Sequence, residues 1–331
     1  MPTDNSTPEV SSQIDLVRQE IGKIIVGHKE VVDGVLIALL AGGHVLLEGV
    51  PGLGKTTLLK TLGRALQLKY SRIQFTPDLM PADIVGSMIM ETNDRGVKNL
   101  RFQPGPIFAH LVLADEINRA TPKTQSALLE SMQEQTVTSG TVTHELEEPF
   151  LVMATQNPLE MEGTYPLPEA QLDRFMMKSL VGYPSREELD LIVERTMAAK
   201  QPQIDRVVDR DQILNIRRVT REVLVAPHVR DFATSLVLAT QPEQAEAHPL
   251  AKKYIRYGSS PRGAQAMIQG GRVMALMRGR WNVSIDDLRA LALPCLRHRI
   301  ILNFDAHAEG KTSDQLLSQI LATLPVAAVK V

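Results

Sequence analysis

One stretch of this 331-residue chain limits its fold more than any other. Residues 44–57 read His-Val-Leu-Leu-Glu-Gly-Val-Pro-Gly-Leu-Gly-Lys-Thr-Thr, so Gly49, Gly54, Lys55 and Thr56 satisfy the spacing G-x-x-x-x-G-K-[ST]. Val45, Leu46 and Leu47 read as a buried strand, and residues 58–66 as the helix that follows. Strand, loop and helix in that order are the setting in which such a loop cradles phosphates. Glycines let backbone N–H groups curl around the anion, and the helix N-terminus adds its positive end. Lys55 brings a point charge to β- and γ-phosphates. The Thr56 hydroxyl is a hard oxygen donor suited to Mg²⁺.

A second apolar run, residues 110–116, ends in two carboxylates, Asp115 and Glu116. Its length fits a strand covered on both faces. At the end of such a strand Asp115 is suited to holding Mg²⁺ through water, and Glu116 to polarising an attacking water. Thr121 and Pro122 then read as an N-cap and a first helical residue. Leu128, Leu129 and Met132 give the helix an apolar face.

Three more strands are predicted, over 71–75, 150–157 and 177–181. Helices alternate with them, which specifies a right-handed βαβ succession and a five-stranded parallel sheet in a three-layer α/β/α domain. Ligands of such sheets lie at the carboxyl ends of the strands. Gly49, Asp115, Glu116 and Asn157 all fall there. Two β-hairpins interrupt the alternation, residues 136–143 around Ser139-Gly140 and residues 88–102 around a turn at 93–96. The residues alone leave them open as inserted decoration or as contact loops.

Beyond Tyr183-Pro184 the pattern becomes helical and no strand is predicted. Ser185 with Glu188 forms a capping box, Ser284 and Thr312 open two further helices, and Ser260-Pro261 starts one running to Met277. Met267, Met274 and Met277 recur at core spacing within it. The predicted division is a flexible polar N-terminus (1–12), an α/β domain (13–184) and a smaller all-helical domain (185–331).

Composition excludes several alternatives. Lys and Arg total 36 against 38 Asp and Glu, a balance that argues against a protein coating nucleic acid. The lone cysteine, Cys295, rules out an internal disulfide framework and reads as core. The N-terminus lacks the basic start and apolar stretch of a signal peptide, and residues 31–47 are too interrupted to span a bilayer, so a cytoplasmic setting is expected. Hydrolysis at a phosphate loop also needs positive charge to meet the transition state, and a neighbouring subunit can supply it. Arg119, Arg174 and Arg262 are the candidates, and spacing does not choose among them.

Together these segments resemble an AAA+ ATPase. Ala114-Asp-Glu-Ile-Asn-Arg-Ala120, Thr155-Gln-Asn-Pro158, Pro168-Glu-Ala-Gln-Leu-Asp-Arg-Phe175 and Gly258-Ser-Ser-Pro-Arg262 are similar to its MoxR branch. The resemblance spans residues 14–325 and implies a Mg²⁺-dependent ATPase. ATP phosphates would be bound by Gly49, Pro51, Gly52, Gly54, Lys55, Thr56 and Thr57. Asp115 would act with Mg²⁺, Glu116 would activate water, and Asn157 would be the sensor that positions it. Val26 and Gly27 would line the adenine pocket. Arg174 matches the arginine finger acting across a subunit interface, and Arg262 matches sensor 2 in a helical lid. The hairpins match insertions that face a central pore. The resemblance further implies a homo-hexameric ring that remodels a protein client, often with a partner carrying a von Willebrand factor A domain, in maturation or metal insertion. A nucleic-acid motor or loader on the same scaffold is the competing function; the absence of an added DNA-binding domain and the formal charge of −2 count against it.

Overall fold

The predicted succession is borne out by a computed structural model that describes residues 6–50, 52–92, 98–158, 163–198 and 202–324. Two helices lead in, α1 (Ser6–Ile24) and α2 (Lys29–Ala41). The strand β1 (Val45–Glu48) then feeds α3 (Lys55–Ala65) through the phosphate loop. Next come β2 (Tyr70–Gln74), the short α4 (Pro81–Val85), and the hairpin strands β3 (Gly86–Thr92) and β4 (Lys98–Pro104). The acidic strand β5 (Leu111–Asp115) leads to α5 (Pro122–Glu134), with Thr121 at its N-cap position and Pro122 in its first turn. A second hairpin, β6 (Thr136–Ser139) and β7 (Val142–Glu145), precedes β8 (Leu151–Gln156), α6 (Glu169–Leu172) and β9 (Met177–Leu180).

β1, β2, β5, β8 and β9 form one parallel sheet in the order β2-β5-β8-β1-β9. Successive β1 side chains point to opposite faces, and both faces are covered. Val45 and Leu47 pack with α1, α2 and α3, whereas Leu46 joins Val112, Val152 and the α5 residues Leu128 and Leu129 beneath Phe75, Phe150 and Phe175. This is why β1, β5 and β8 are largely apolar along their length.

The remainder is α7 (Arg186–Met197), α8 (Arg210–Glu222), α9 (Pro227–Ala239), α10 (Pro249–Tyr254), β10 (Ile255–Tyr257), α11 (Pro261–Met277), α12 (Ile285–Leu296), β11 (Ile301–Leu302), α13 (Phe304–Ala308) and α14 (Ser313–Thr323). The capping boxes at Ser185, Ser284 and Thr312 are all formed. Val35 and Leu39 of α2, Leu236 of α9, Met267 of α11 and Leu291 of α12 belong to one continuous core. Cys295 is fully buried in it, and burial pushes its thiol up to about 12.

Two expectations need correction. The segment 1–12 is not a flexible terminus throughout, because α1 starts at Ser6 and buries Val10 with Ile14, Val17 and Ile21 on one helical stripe; residues 1–5 lie outside the described residues. The C-terminal part is not all-helical, because β10 and β11 pair antiparallel. Strands of three and two residues carry no periodic signal to read. The predicted turn at 93–96 also lies outside the described residues. Among the described residues no helix is long and apolar enough to cross a membrane.

Candidate active site

Because all five strands are parallel, the loops after β1, β5 and β8 open at one edge of the sheet. A cavity of about 360 Å³ lies there, lined by Gly49, Gly52, Gly54, Lys55, Thr56, Thr57, Asp115, Glu116 and Asn157. Gly52 and Gly54 hold left-handed backbone angles (φ 84° and 77°) with open space where a Cβ would stand. They are glycines for conformational reasons. Gly49 is a glycine for packing: an added Cβ would lie 2.5 Å from the Val181 carbonyl oxygen at the end of β9. Pro51 lies outside the described residues.

Lys55 is half-buried and its ammonium donates to the Gly49 carbonyl. Burial pulls its pKa down from the usual lysine value, opposed by the charges of Asp115, Glu116 and Glu48. A desolvated cation beside a glycine loop at a helix N-terminus favours a bound anion.

Thr155 organises the acidic end of β5. Its hydroxyl donates to Asp115 Oδ1 at 2.7 Å and accepts the Glu116 backbone N–H at 2.8 Å. That second bond holds Glu116 at φ 57°, a left-handed conformation costing a non-glycine residue about 1–3 kcal/mol. The turn aims the Glu116 carboxylate into the cavity, where Gln74 Nε2 donates to its Oε2 at 2.9 Å. Arg119 donates to the same oxygen at 3.1 Å, so of the three candidate arginines it is the one beside Glu116. Asn157 is buried against the cavity wall.

Arg72 and Gln74 of β2 and Thr155 of β8 line this cavity without having been predicted. Arg72 reaches Asp115 Oδ2 through Nε at 3.1 Å and Nη2 at 2.7 Å. The alternating pattern over 71–75 did carry a signal, since Arg72 and Gln74 must face away from Ile73 and Phe75. Only the β2–β5 register, with Gln74 beside Asp115, shows what they meet.

The donors fit Mg²⁺. Thr56 and Asp115 present hard oxygens to one cavity, and among the described residues no cluster of three or more His, Cys, Asp or Glu could hold an ion unaided. Mg²⁺ usually takes one or two protein oxygens and completes its shell with phosphates and water.

Arg174 and Arg262 are not in this cavity. They line a second one of about 390 Å³ with Gly43, His44 and Met176. These residues precede β1 and β9, so the second cavity lies at the amino ends of the strands. β1 pairs Val45 with Met177 at that end and Glu48 with Leu180 at the other. About 10 Å of strand separates the two edges. Arg174 donates from Nη1 to the Leu129 carbonyl at 2.6 Å, and Arg262 Nη1 lies 3.6 Å from Asp173 Oδ2. Asp173 is shared: Ser260 Oγ donates to it at 2.8 Å and Arg299 Nε at 2.8 Å. Arg299 is buried and also donates to the carbonyls of Phe175 and Met176, which ties the end of α12 to the loop bearing Arg174. Val26 and Gly27 line a third, more apolar cavity of about 530 Å³ with Leu191 and Arg195 of α7.

The pattern of the ATPase family associated with various cellular activities (AAA) matches residues 44–177, and that of the AAA lid domain matches residues 248–320. The chain is 42% identical to "Chaperone MoxR1" of Mycobacterium tuberculosis, over 94% of this chain and 81% of that protein. The chain belongs to the MoxR family of AAA ATPases. It is also 30% identical to "Protein MoxR" of Paracoccus denitrificans, over 92% of this chain and 94% of that one. A solved structure of a candidate ATPase from Cytophaga hutchinsonii superposes on it with a TM-score of 0.91 at 41% identity, covering 97% of each chain. The AAA match thus contains the phosphate-loop cavity and Arg174, and the lid match contains Arg262 and Arg299. As a MoxR-family member the chain is a nucleotide-binding ATPase.

Proposed function

We propose that this ATPase completes its active site between two subunits of a ring and uses the hydrolysis to remodel a protein client. In this reading residues 49–57 bind the ATP phosphates, and Val26 and Gly27 line the adenine pocket. Thr56 and Asp115 hold Mg²⁺, which screens phosphate charge when bound. Glu116 takes a proton from the attacking water, oriented by Asn157. Arg174 and Arg262 belong to the nucleotide of the adjacent subunit in a homo-hexamer.

The observation that carries the two-subunit reading is the position of Arg174 and Arg262 at the opposite edge of the sheet from their own phosphate loop. Charge stabilisation of the transition state then comes from a neighbour, an effect of large size in phosphoryl transfer. A protein client is supported by the two hairpins, which expose Met88, Met90, Leu100 and Val142, and by a relative that bears the name chaperone. Maturation or metal insertion of that client, with a von Willebrand factor A domain partner, is the role the family resemblance favours.

Mixing subunits tests the core of this reading. Arg174→Ala and Glu116→Gln chains should each release phosphate poorly. A mixture should recover turnover, because an Arg174→Ala subunit keeps its own Glu116 and borrows Arg174 from its neighbour. No recovery at any ratio sinks the two-subunit site.

A further inference from the structure

A third basic feature sits beside the Arg174 cavity and has no part in the reading above. Arg217 and Arg221 on α8 and Arg272 on α11 line a cavity of about 320 Å³ against the end of α2. Arg217 is 6% exposed. Its Nε donates to the Leu39 carbonyl at 2.9 Å and its Nη1 lies 3.8 Å from Glu148 Oε2. Its Nη2 is buried with no hydrogen-bond partner, and so is Arg272 Nε. Among the described residues these are the only two such atoms carried by permanently charged side chains, and both belong to residues lining this one cavity.

Buried guanidinium nitrogens are ordinarily satisfied, because leaving one bare forfeits its hydration with nothing in return. The local charge deepens the problem. Burial lowers the Arg217 pKa and Arg221 lowers it further, with Glu148 opposing. Among the described residues Glu148 is the one carboxylate lining the cavity, and the α2 C-terminus contributes about half a negative charge. Three guanidiniums therefore keep an excess of about 1.5 positive charges. The rest of the wall suits the same ligand, since the amides of Gln135 and Gln269 can donate to an oxyanion.

We infer that this cavity is a binding site for a phosphate-class oxyanion, either the free ion or the phosphate group of a small metabolite. Guanidinium forks match the geometry of phosphate oxygens, and several donors can engage one anion at once. The volume falls at the lower end of small-molecule sites, about 300–1,000 Å³, which leaves room for a short organic group beyond the phosphate. The site shares Gly42, Gln135 and Gln269 with the Arg174 cavity, so its occupant lies next to that face. It does not depend on how Arg174 acts.

The test is a calorimetric titration of the full chain with inorganic phosphate, after the phosphate loop has been saturated with a non-hydrolysable ATP analogue. Saturable binding of one phosphate per chain is expected. It should weaken about ten-fold or more in Arg272→Gln and in Arg221→Gln, with analogue affinity unchanged. Arg221 is exposed, so its variant reports on the site rather than on folding. Tighter binding of glycerol phosphate than of phosphate identifies an ester as the natural occupant; equal or weaker binding identifies the free ion. Absence of saturable phosphate binding by the unaltered chain, or identical titrations for all three proteins, overturns the site.

Discussion

The two edges of the central sheet are built in opposite ways. At the carboxyl edge, Gly49 to Thr57, Asp115, Glu116 and Asn157 face one cavity, with two carboxylates and a desolvated lysine surrounding open space. At the amino edge the second cavity brings Arg174, held by the Leu129 carbonyl, together with Arg262 and Arg299, which pair with Asp173. One edge joins a glycine loop and a lysine to two carboxylates, and the other clusters three guanidiniums. The side chains of the two edges are held differently too. Glu116 depends on a strained turn and Thr155, whereas the loop carrying Arg174 is tied by Arg299 to backbone carbonyls.

The sharpest way to break this comparison is Arg174→Ala. If the amino edge serves a neighbour's nucleotide, turnover should fall about 10³–10⁵-fold while ATP still binds. Undiminished phosphate release would remove the amino edge from catalysis. Next in size is Glu116→Gln at the carboxyl edge, expected to lower turnover about 10²–10⁴-fold with nucleotide affinity retained. Equal phosphate release by variant and parent would rule out Glu116 as the base.

A third prediction separates the edges by pH. Burial holds the His44 imidazole at about 4, well below its usual 6.5. Its Nδ1 accepts the Val152 N–H and its Nε2 meets the Met132 carbonyl, which suits a neutral ring. The unfolded chain binds a proton at His44 below pH 6.5 and the folded chain only near 4. Stability is therefore complete above 6.5 and is lost as pH falls toward 4, by about 3 kcal/mol from this residue. Urea unfolding of the parent and of His44→Gln across that range checks it: the variant should show a flatter dependence, and an unchanged slope would contradict the assignment. Smallest is Thr155→Val. Losing its bonds to Asp115 and Glu116 should reduce turnover about 10–100-fold and leave Arg174-dependent recovery in mixed subunits intact.

Much of the carboxyl edge was readable without a structure because its signals are local. A phosphate loop is a run of eight residues between a strand and a helix, and Asp115 and Glu116 close an unbroken apolar stretch. The N-caps at Ser185, Ser284 and Thr312 bond backbone groups three residues on, and these, with Thr121 at the N-cap position of α5, stand where the sequence predicts. What escaped reading depends on distant partners. Arg72 meets Asp115 only because β2 lies beside β5. The burial of Val10 is settled by packing against a core assembled from helices far along the chain. β10 and β11 are too short to announce themselves, and Arg217 looks like any helical arginine until α2 and α11 close over it.

By itself the sequence determined that a glycine-lysine loop and two carboxylates stand at strand ends of a parallel α/β fold, because each of these signals is written into contiguous residues. Only the tertiary structure decided that Arg262 and Arg299, from segments far along the chain, join Arg174 at the other edge, because packing of distant elements brings them there. Arg174 itself precedes β9, whereas Lys55 follows β1. Parallel pairing of those two strands sends the segments to opposite sides of the sheet.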